Sequence, residues 1–421
     1  MVEKNDVSLE TQDSVDVKRN VPSLRFKEFN GNWEEKRMGV LYEIKNGLNK
    51  GKDFFGQGIP ILNYMDVNKR VFNTENTIFG LVDVEINELK RFNVQPNDLF
   101  FTRTSETSDE IGLTSAYTGK QIDCVFSGFI LRARPLKEDI NSLFYSYYFR
   151  TEKNRKNIIK FSSITTRALI TGANLSQMKV KIPTYKEQEK IANFLSLIDK
   201  KIEFLEKTLV LYQKIKKYFV ENIFKQNLRF YGFQDEWKTN NLNSLSIVKD
   251  GTHDSPKYVL NGYPLITSKN LINGKLDISD VNLISEEDFI NINKRSKVDV
   301  GDILFGMIGT IGNPVICDKS DFAIKNVALI KEKHNLKNKF LIYLLDSDFI
   351  KKQFYKCNAG GTQKFIALNL IRNLNILYPS LDEQEKIIGF FNLLDKKIDL
   401  KIKSINNLKN YKKSLLQKMF V

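Results

Sequence analysis

The chain is short of the residues that most often do chemistry. Its 421 residues include two histidines, His253 and His334, and three cysteines, Cys124, Cys317 and Cys357. Two histidines leave little room for a Ser-His-Asp arrangement, and neither is flanked by a nucleophile motif. The cysteines are odd in number and share no metal-ligand spacing. With an N-terminus that lacks an apolar signal segment, they point to a reduced, cytoplasmic protein. No phosphate-cradling loop ending in Gly-Lys-Ser/Thr occurs, since the glycines from Gly306 to Gly312 lack the lysine. The Asn-Pro-Pro-Tyr and Asp-Pro-Pro-Tyr boxes with which amino-methyltransferases hold a flipped base are missing too. No apolar run approaches the roughly 20 residues of a membrane span. What remains is a binding protein rather than an enzyme, with no cofactor, no metal site and no membrane segment expected. The first 20 residues are polar and mixed in charge, and read as a disordered tail.

Basic charge and repetition are what the sequence does have. Lysine and arginine number 65 against 50 acids, a net charge of +15 that points to an anionic partner, with nucleic acid ahead of membrane. Pro183-Thr-Tyr-Lys-Glu-Gln-Glu-Lys-Ile191 returns as Pro379-Ser-Leu-Asp-Glu-Gln-Glu-Lys-Ile387, and Asp199-Lys-Lys-Ile202 returns as Asp395-Lys-Lys-Ile398, both 196 positions later. The chain is therefore an internal duplication. Each copy alternates apolar steps of four and three: Ile191, Leu195, Ile198, Ile202, Leu205 and Leu209 in the first, Ile387, Phe391, Leu394, Ile398, Ile405 and Leu408 in the second. That spacing predicts two long helices with a coiled-coil seam. Lys216, Lys401 and Lys412 fill gaps in the seam, and Gly389 interrupts the second helix at a cost of ~1 kcal/mol against alanine. A proline before each helix suits a position whose missing N–H costs little.

The segments between the helices repeat as well. Leu24-Arg-Phe26, Phe29 and Trp33 recur as Leu228-Arg-Phe230, Phe233 and Trp237, an offset of 204, and Val94 to Asp98 matches Val298 to Asp302 at the same offset. The order is globule, helix, globule, helix, and the globules resemble each other far less than the helices do. Short β-rich segments such as Asp98 to Thr102 and Asp302 to Phe305, with helical patches over Ser142 to Phe149 and Lys339 to Leu345, predict mixed α/β globules with a curved sheet. The fold class is α+β, with expected boundaries of 21–182, 183–226, 227–378 and 379–421.

Polar, basic loops punctuate these strands and are the candidate DNA contacts. The first globule offers Lys50, Lys52, Arg70 after Lys69, Arg103, Thr104, Thr166 and Arg167; the second offers His253, Lys257, Ser268, Lys269, Asn270, Gln363 and Lys364, with Lys294-Arg295 in a further loop. Arginine or lysine can bond guanine O6 and N7, glutamine or asparagine adenine N6 and N7, and hydroxyl groups suit phosphates. His253 lies in Asp250-Gly-Thr-His-Asp254, a turn that could also offer a polar contact. The basic helix ends, Lys214, Lys216 and Lys217 and again Lys409, Lys412, Lys413 and Lys418, are solvated faces or phosphate contacts.

The tandem Glu-Gln-Glu-Lys-Ile helix starts, Asp250-Gly-Thr-His253, Ile266-Thr-Ser-Lys-Asn-Leu271, Gly301-Asp-Ile-Leu304 and Gly361-Thr-Gln363 resemble the specificity subunit of type I restriction-modification enzymes over essentially everything after the tail. The resemblance implies two target recognition domains, each reading one half of a split site in double-stranded DNA. It implies antiparallel helices that act as spacer and platform for an adenine methyltransferase subunit, in two copies, and, through those, a restriction subunit that is an ATP-driven translocase and nuclease. Chemistry would then belong to the partners. The first globule departs from the pattern: Lys45-Asn-Gly-Leu48 stands where the second has Asp250-Gly-Thr-His253, and Thr165-Thr-Arg167 where it has Gly-Thr-Gln. Helices of about 40 residues span roughly 60 Å at ~1.5 Å per residue, more than one duplex turn of ~34 Å, so the expected target is bipartite with an unread gap. Two rivals are a coiled-coil scaffold without sequence-specific DNA binding and a DNA enzyme with an unfamiliar active site.

Overall fold

The computed structural model describes residues 20–164, 167–357 and 365–421, with the backbone alone at Ile164 and Cys357. The expected tail up to residue 19 lies outside the described residues. The chain divides into two compact units, one of residues up to Phe204 together with Ile405–Val421, the other Leu205–Ser404. Each unit therefore holds one globule and a part of each long helix.

In the first unit, Tyr42–Asn46, Ile130–Pro135, Leu99–Thr102, Thr114–Tyr117 and Phe72–Asn73 lie side by side in that order, antiparallel except for the last pair. The strands read as near-continuous apolar runs because both faces are covered: Leu99, Phe100, Phe101, Ile130 and Leu131 are all buried. Helix α1, Ser142–Phe149, closes one face, and five of its aromatic side chains are buried. A second small sheet pairs Phe55–Leu62 in parallel with Val125–Phe126. Helix α2, Tyr185–Phe224, begins in this unit and ends in the other.

The second unit repeats the plan. Ser246–Asp250, Val327–Glu332, Ile303–Gly306 and Gly312–Ile316 form an antiparallel sheet in the corresponding order, and Tyr263–Ile266 pairs in parallel with Ala323–Ile324. Helix α3, Asn338–Asp346, takes the place of α1. Helix α4, Leu381–Lys418, starts here, and its Ile387, Ile388 and Phe391 join Val220, Ile223 and Phe224 of α2 in one core with Phe340 and Leu344.

The repeated Glu-Gln pair at each helix start has a structural task. Glu187 is buried and accepts two hydrogen bonds from Arg25, both at 2.7 Å, and Glu383 accepts two from Arg229 at 2.9 and 2.8 Å. A two-pronged guanidinium is what a buried carboxylate needs to be stable. Gln188 donates to the carbonyls of Pro183 and Asp139 and accepts from the Asn141 amide; Gln384 does the same with Pro379, Asn335 and Lys337. The motif thus anchors each helix to its own globule.

The seam is made within each unit. In the second, Phe219 packs edge-on to Phe390 at 4.9 Å and Lys216 reaches Asp395 at 2.6 Å, so α2 and α4 run antiparallel there. In the first, Lys412 reaches Asp199 at 2.5 Å, the same pair 196 positions displaced with the helices exchanged. Each aspartate also accepts a hydrogen bond from a globule tyrosine, Tyr147 to Asp199 at 2.7 Å and Tyr343 to Asp395 at 2.8 Å, and each ammonium lies about 5 Å over that tyrosine's ring. The lysines that fill two gaps in the apolar repeat are therefore ion-paired, which removes Lys216 and Lys412 from the candidate phosphate contacts. Ile191, Leu195, Ile198, Ile202, Leu205, Ile387, Phe391 and Ile405 are buried, while Leu209, Leu394, Ile398 and Leu408 are half-buried.

Candidate nucleic-acid interface

One end of the first globule collects several of the predicted residues. After Tyr42–Asn46 the chain turns at Gly47, where a Cβ would stand 2.2 Å from the Ser127 carbonyl, so only glycine fits the close approach. The turn lays Leu48 beside Ser127, and the Gly128 amide donates to Leu48 at 2.7 Å. Arg103 follows next: its amide donates to the Phe129 carbonyl at 2.9 Å and its Nη1 to the Gly128 carbonyl at 3.3 Å. Arg103 Nε is buried and has no hydrogen-bond partner among the described residues. Thr104–Ser105 pairs with Ala168–Leu169, which brings Thr104 opposite Leu169. Arg167 is exposed and 3.9 Å from Glu106, an ion pair of little worth in water.

Lys50 is in this loop but already engaged, 2.7 Å from Glu88 and 4.3 Å above the Phe54 ring. Lys52 is exposed. Arg70 is at the end of the short helix Tyr64–Lys69, 3.7 Å from Asp66, and no hydrogen bond among the described residues ties it to the Arg103 loops. Thr166 lies outside the described residues, as do Gln363 and Lys364.

The second globule builds the same end from other side chains. Gly251 is required as Gly47 is, since a Cβ there would meet the Ile324 carbonyl at 2.2 Å. Thr252 then pairs with Lys325, and the Asn326 amide donates to Thr252 at 3.1 Å. His253 spans the loop: Nδ1 is 2.7 Å from Asn326 Oδ1 and Nε2 is 2.8 Å from Asp250 Oδ2. Arg295, in the last turn of the helix Glu286–Ser296 rather than in a loop, holds the other Asp250 oxygen. Oxygens on both sides of the ring, Asn326 foremost and then Asp250, raise the His253 pKa above its ordinary value. Lys325 Nζ donates to Ser255 at 2.6 Å, and Lys257 is exposed beside them.

Ser268, Lys269 and Asn270 form a single turn whose inner members serve the fold. Asn270 is buried; its Oδ1 caps the Thr267 amide and its Nδ2 donates to the carbonyls of Asp277 and Asp280. Both amide hydrogens are used, so Asn270 holds the turn and has no donor left for a base. Ser268 is also buried, near the Ile308 amide and the Asn326 carbonyl. Lys269 is exposed, 3.3 Å from Asp280. Phe365 pairs with Ile308 as Leu169 pairs with Thr104, so the framework of the two ends coincides.

Lys325, Asn326, Asn49 and Phe129 belong to these ends and were not among the sequence candidates. Their place depends on strands far apart in the chain meeting at Leu48–Ser127 and Thr252–Lys325, for which no local pattern exists. The one signal was positional, since Asn49 stands 204 residues before His253. Among the described residues no group of three His, Cys, Asp or Glu side chains is arranged to hold a metal, and no helix is long and apolar enough to cross a membrane.

Two repeated sheets, each with a loop end of polar and basic side chains, and a helix leaving each sheet through a Glu-Gln anchor, define a duplicated recognition module. The sequence model of the type I restriction modification DNA specificity domain matches residues 30–217 and 234–410, and the chain belongs to that family. It is 24% identical over 417 residues to a protein assigned as the MjaX type I restriction enzyme specificity subunit of Methanocaldococcus jannaschii, covering 94% of this chain and 95% of that one. Against the EcoKI type I restriction enzyme specificity subunit of Escherichia coli (strain K12) it is 22% identical over 410 residues, 91% of this chain and 85% of that protein. The crystal structure of the type I restriction-modification S subunit from M. genitalium shares the fold, with a TM-score of 0.61 at 18% identity over 95% of this chain and 99% of that one.

Proposed function

We propose that this chain is the specificity subunit of a type I restriction-modification complex and works in the cytoplasm. It reads a bipartite site in double-stranded DNA, one half-site per globule, and docks two copies of an adenine methyltransferase subunit and, with them, a restriction subunit. The long helices set the unread gap between the half-sites. Methylation and cleavage come from the partners, and the chain itself supplies recognition.

The observation that supports this most is a framework repeated without its side chains. Gly47 and Gly251 make the same close approach, and the pairs Thr104–Leu169 and Ile308–Phe365 correspond, yet Asn49 is replaced by His253 and Arg103 by Met307. A scaffold kept under different edge groups is what two different half-sites require, because base edges are told apart by donor and acceptor pattern.

The test is methylome sequencing of cells that express this chain with its methyltransferase partner. Arg103→Ala with Arg167→Ala should relax or abolish only the first half-site; Lys325→Ala with His253→Ala should do so only at the second. A good bidentate base contact is worth about 1–3 kcal/mol of discrimination against the wrong base, so its loss should relax specificity by that order at the position it reads. A change in both halves from either pair, or an unchanged methylome from both, would count against the reading.

A further inference from the structure

Each globule exposes an apolar tip beside its basic loop end, at the same place in the repeat. In the first it is Phe54 and Phe55, in the second Tyr258, Val259 and Leu260, and the offset is the 204 that relates the globules elsewhere. Leu260 is 95% exposed, and all four others are exposed as well. The backbone presents them deliberately. Phe55 opens a strand paired with Val82, with Gly56 and Gly58 at positive φ behind it; Tyr258–Val259 pairs with Leu283 and Ile284 and turns at Leu260. Five large apolar side chains at matched turn tips cost free energy in water, which partial burial against a ligand would recover.

The surroundings identify the ligand. Lys50 stands over the Phe54 ring at 4.3 Å, with Lys52 two residues before Phe54. Lys257 adjoins Tyr258, and Lys325 is bonded to Ser255 three residues away. Apolar tips flanked by ammonium groups, on the loop end that carries Arg103 in one globule and His253 in the other, fit a polyanion with stacked, apolar interior surfaces. We infer that Phe54 with Phe55, and Tyr258 with Leu260, act as wedges that press into the DNA of their own half-site and unstack a base step there. The inference rests on the DNA-reading function proposed above. It also gives the chain a part in the chemistry of its partners, since a base in a duplex is reached by an enzyme only once it leaves the stack, and a neighbouring step already opened lowers that cost.

The experiment uses the full complex with the methyltransferase subunits and duplexes that carry 2-aminopurine next to the methylated adenine of one half-site at a time. Wild type should raise 2-aminopurine fluorescence at both half-sites. Phe54→Ser with Phe55→Ser should remove the rise at the first half-site alone and weaken binding roughly tenfold. Tyr258→Ser with Leu260→Ser should do the same at the second alone, while Leu260→Met keeps the rise. In all of them the salt dependence of binding should match wild type, because no phosphate contact is lost. Fluorescence rises that persist in both double variants overturn the wedge, as does failure of these variants to assemble with the methyltransferase, which would assign the tips to a protein contact. A wild-type complex with no preference for any bipartite duplex overturns the proposed function and the wedge together, whereas specific wild-type binding without a fluorescence rise at either half-site overturns the wedge alone.

Discussion

Both ring nitrogens of His253 face oxygens, those of Asn326 and Asp250, so the ring is held as a donor on two sides and favours the imidazolium. Arg295 opposes this charge and Asp254 and Lys325 stand near on the same loops, yet the net shift is upward. A raised folded pKa means that the stabilisation is complete below the ordinary value of about 6.5 and is lost as pH rises through the raised one. A cation near phosphates follows the same sign. Binding at the second half-site should therefore weaken as pH rises from about 6.5 through the raised pKa, and His253→Gln should flatten that slope; titrating binding to single half-site variants checks it. The first half-site should be indifferent over this range because Asn49 stands where the histidine would be. The sequence exposed His253 and the neighbouring Asp250 but could not show the partner Asn326, which arrives from 73 positions away.

Among the elements, the long helices were the most legible and the small sheets the least. A four-three repeat reports a buried stripe directly, and its positions Ile191, Leu195, Ile198, Ile202 and Leu205 are buried. The repeat was silent on why lysine is tolerated at 216 and 412, because the answer, a Tyr–Asp–Lys cluster, draws on three separated segments. The helical patch at Ser142–Phe149 stood out in the sequence, whereas two-residue strands such as Thr104–Ser105 carry no period to read. Gly389 is the weak point of α4: a Cβ there meets nothing within 4 Å. Gly389→Ala should therefore stabilise the chain by about 0.5–1 kcal/mol through the lower entropy of the unfolded state, a rise of roughly 1–4 °C in the Tm of the second unit on thermal melting.

At the scale of the whole molecule, duplication was readable from two constant offsets, but the sharing of each long helix between the two units was not. Residues 405–421 belong with the first unit, where Phe420 packs edge-on against Trp33 and Tyr148 and tilted against Phe144, and the Leu24 amide donates to the Lys418 carbonyl. Removing residues 405–421 should open that aromatic face and loosen the first unit while the second keeps its own protection. Hydrogen exchange read by mass spectrometry would report faster exchange in α1 and in the Tyr42–Asn46 strand and unchanged exchange in α3.

That contact also has a temporal side. A ribosome adding about 5–20 residues per second makes Trp33 some tens of seconds before it makes Phe420. Until then the nascent N-terminal globule waits with a greasy socket open, and the turns of α4 that plug it emerge only that much later.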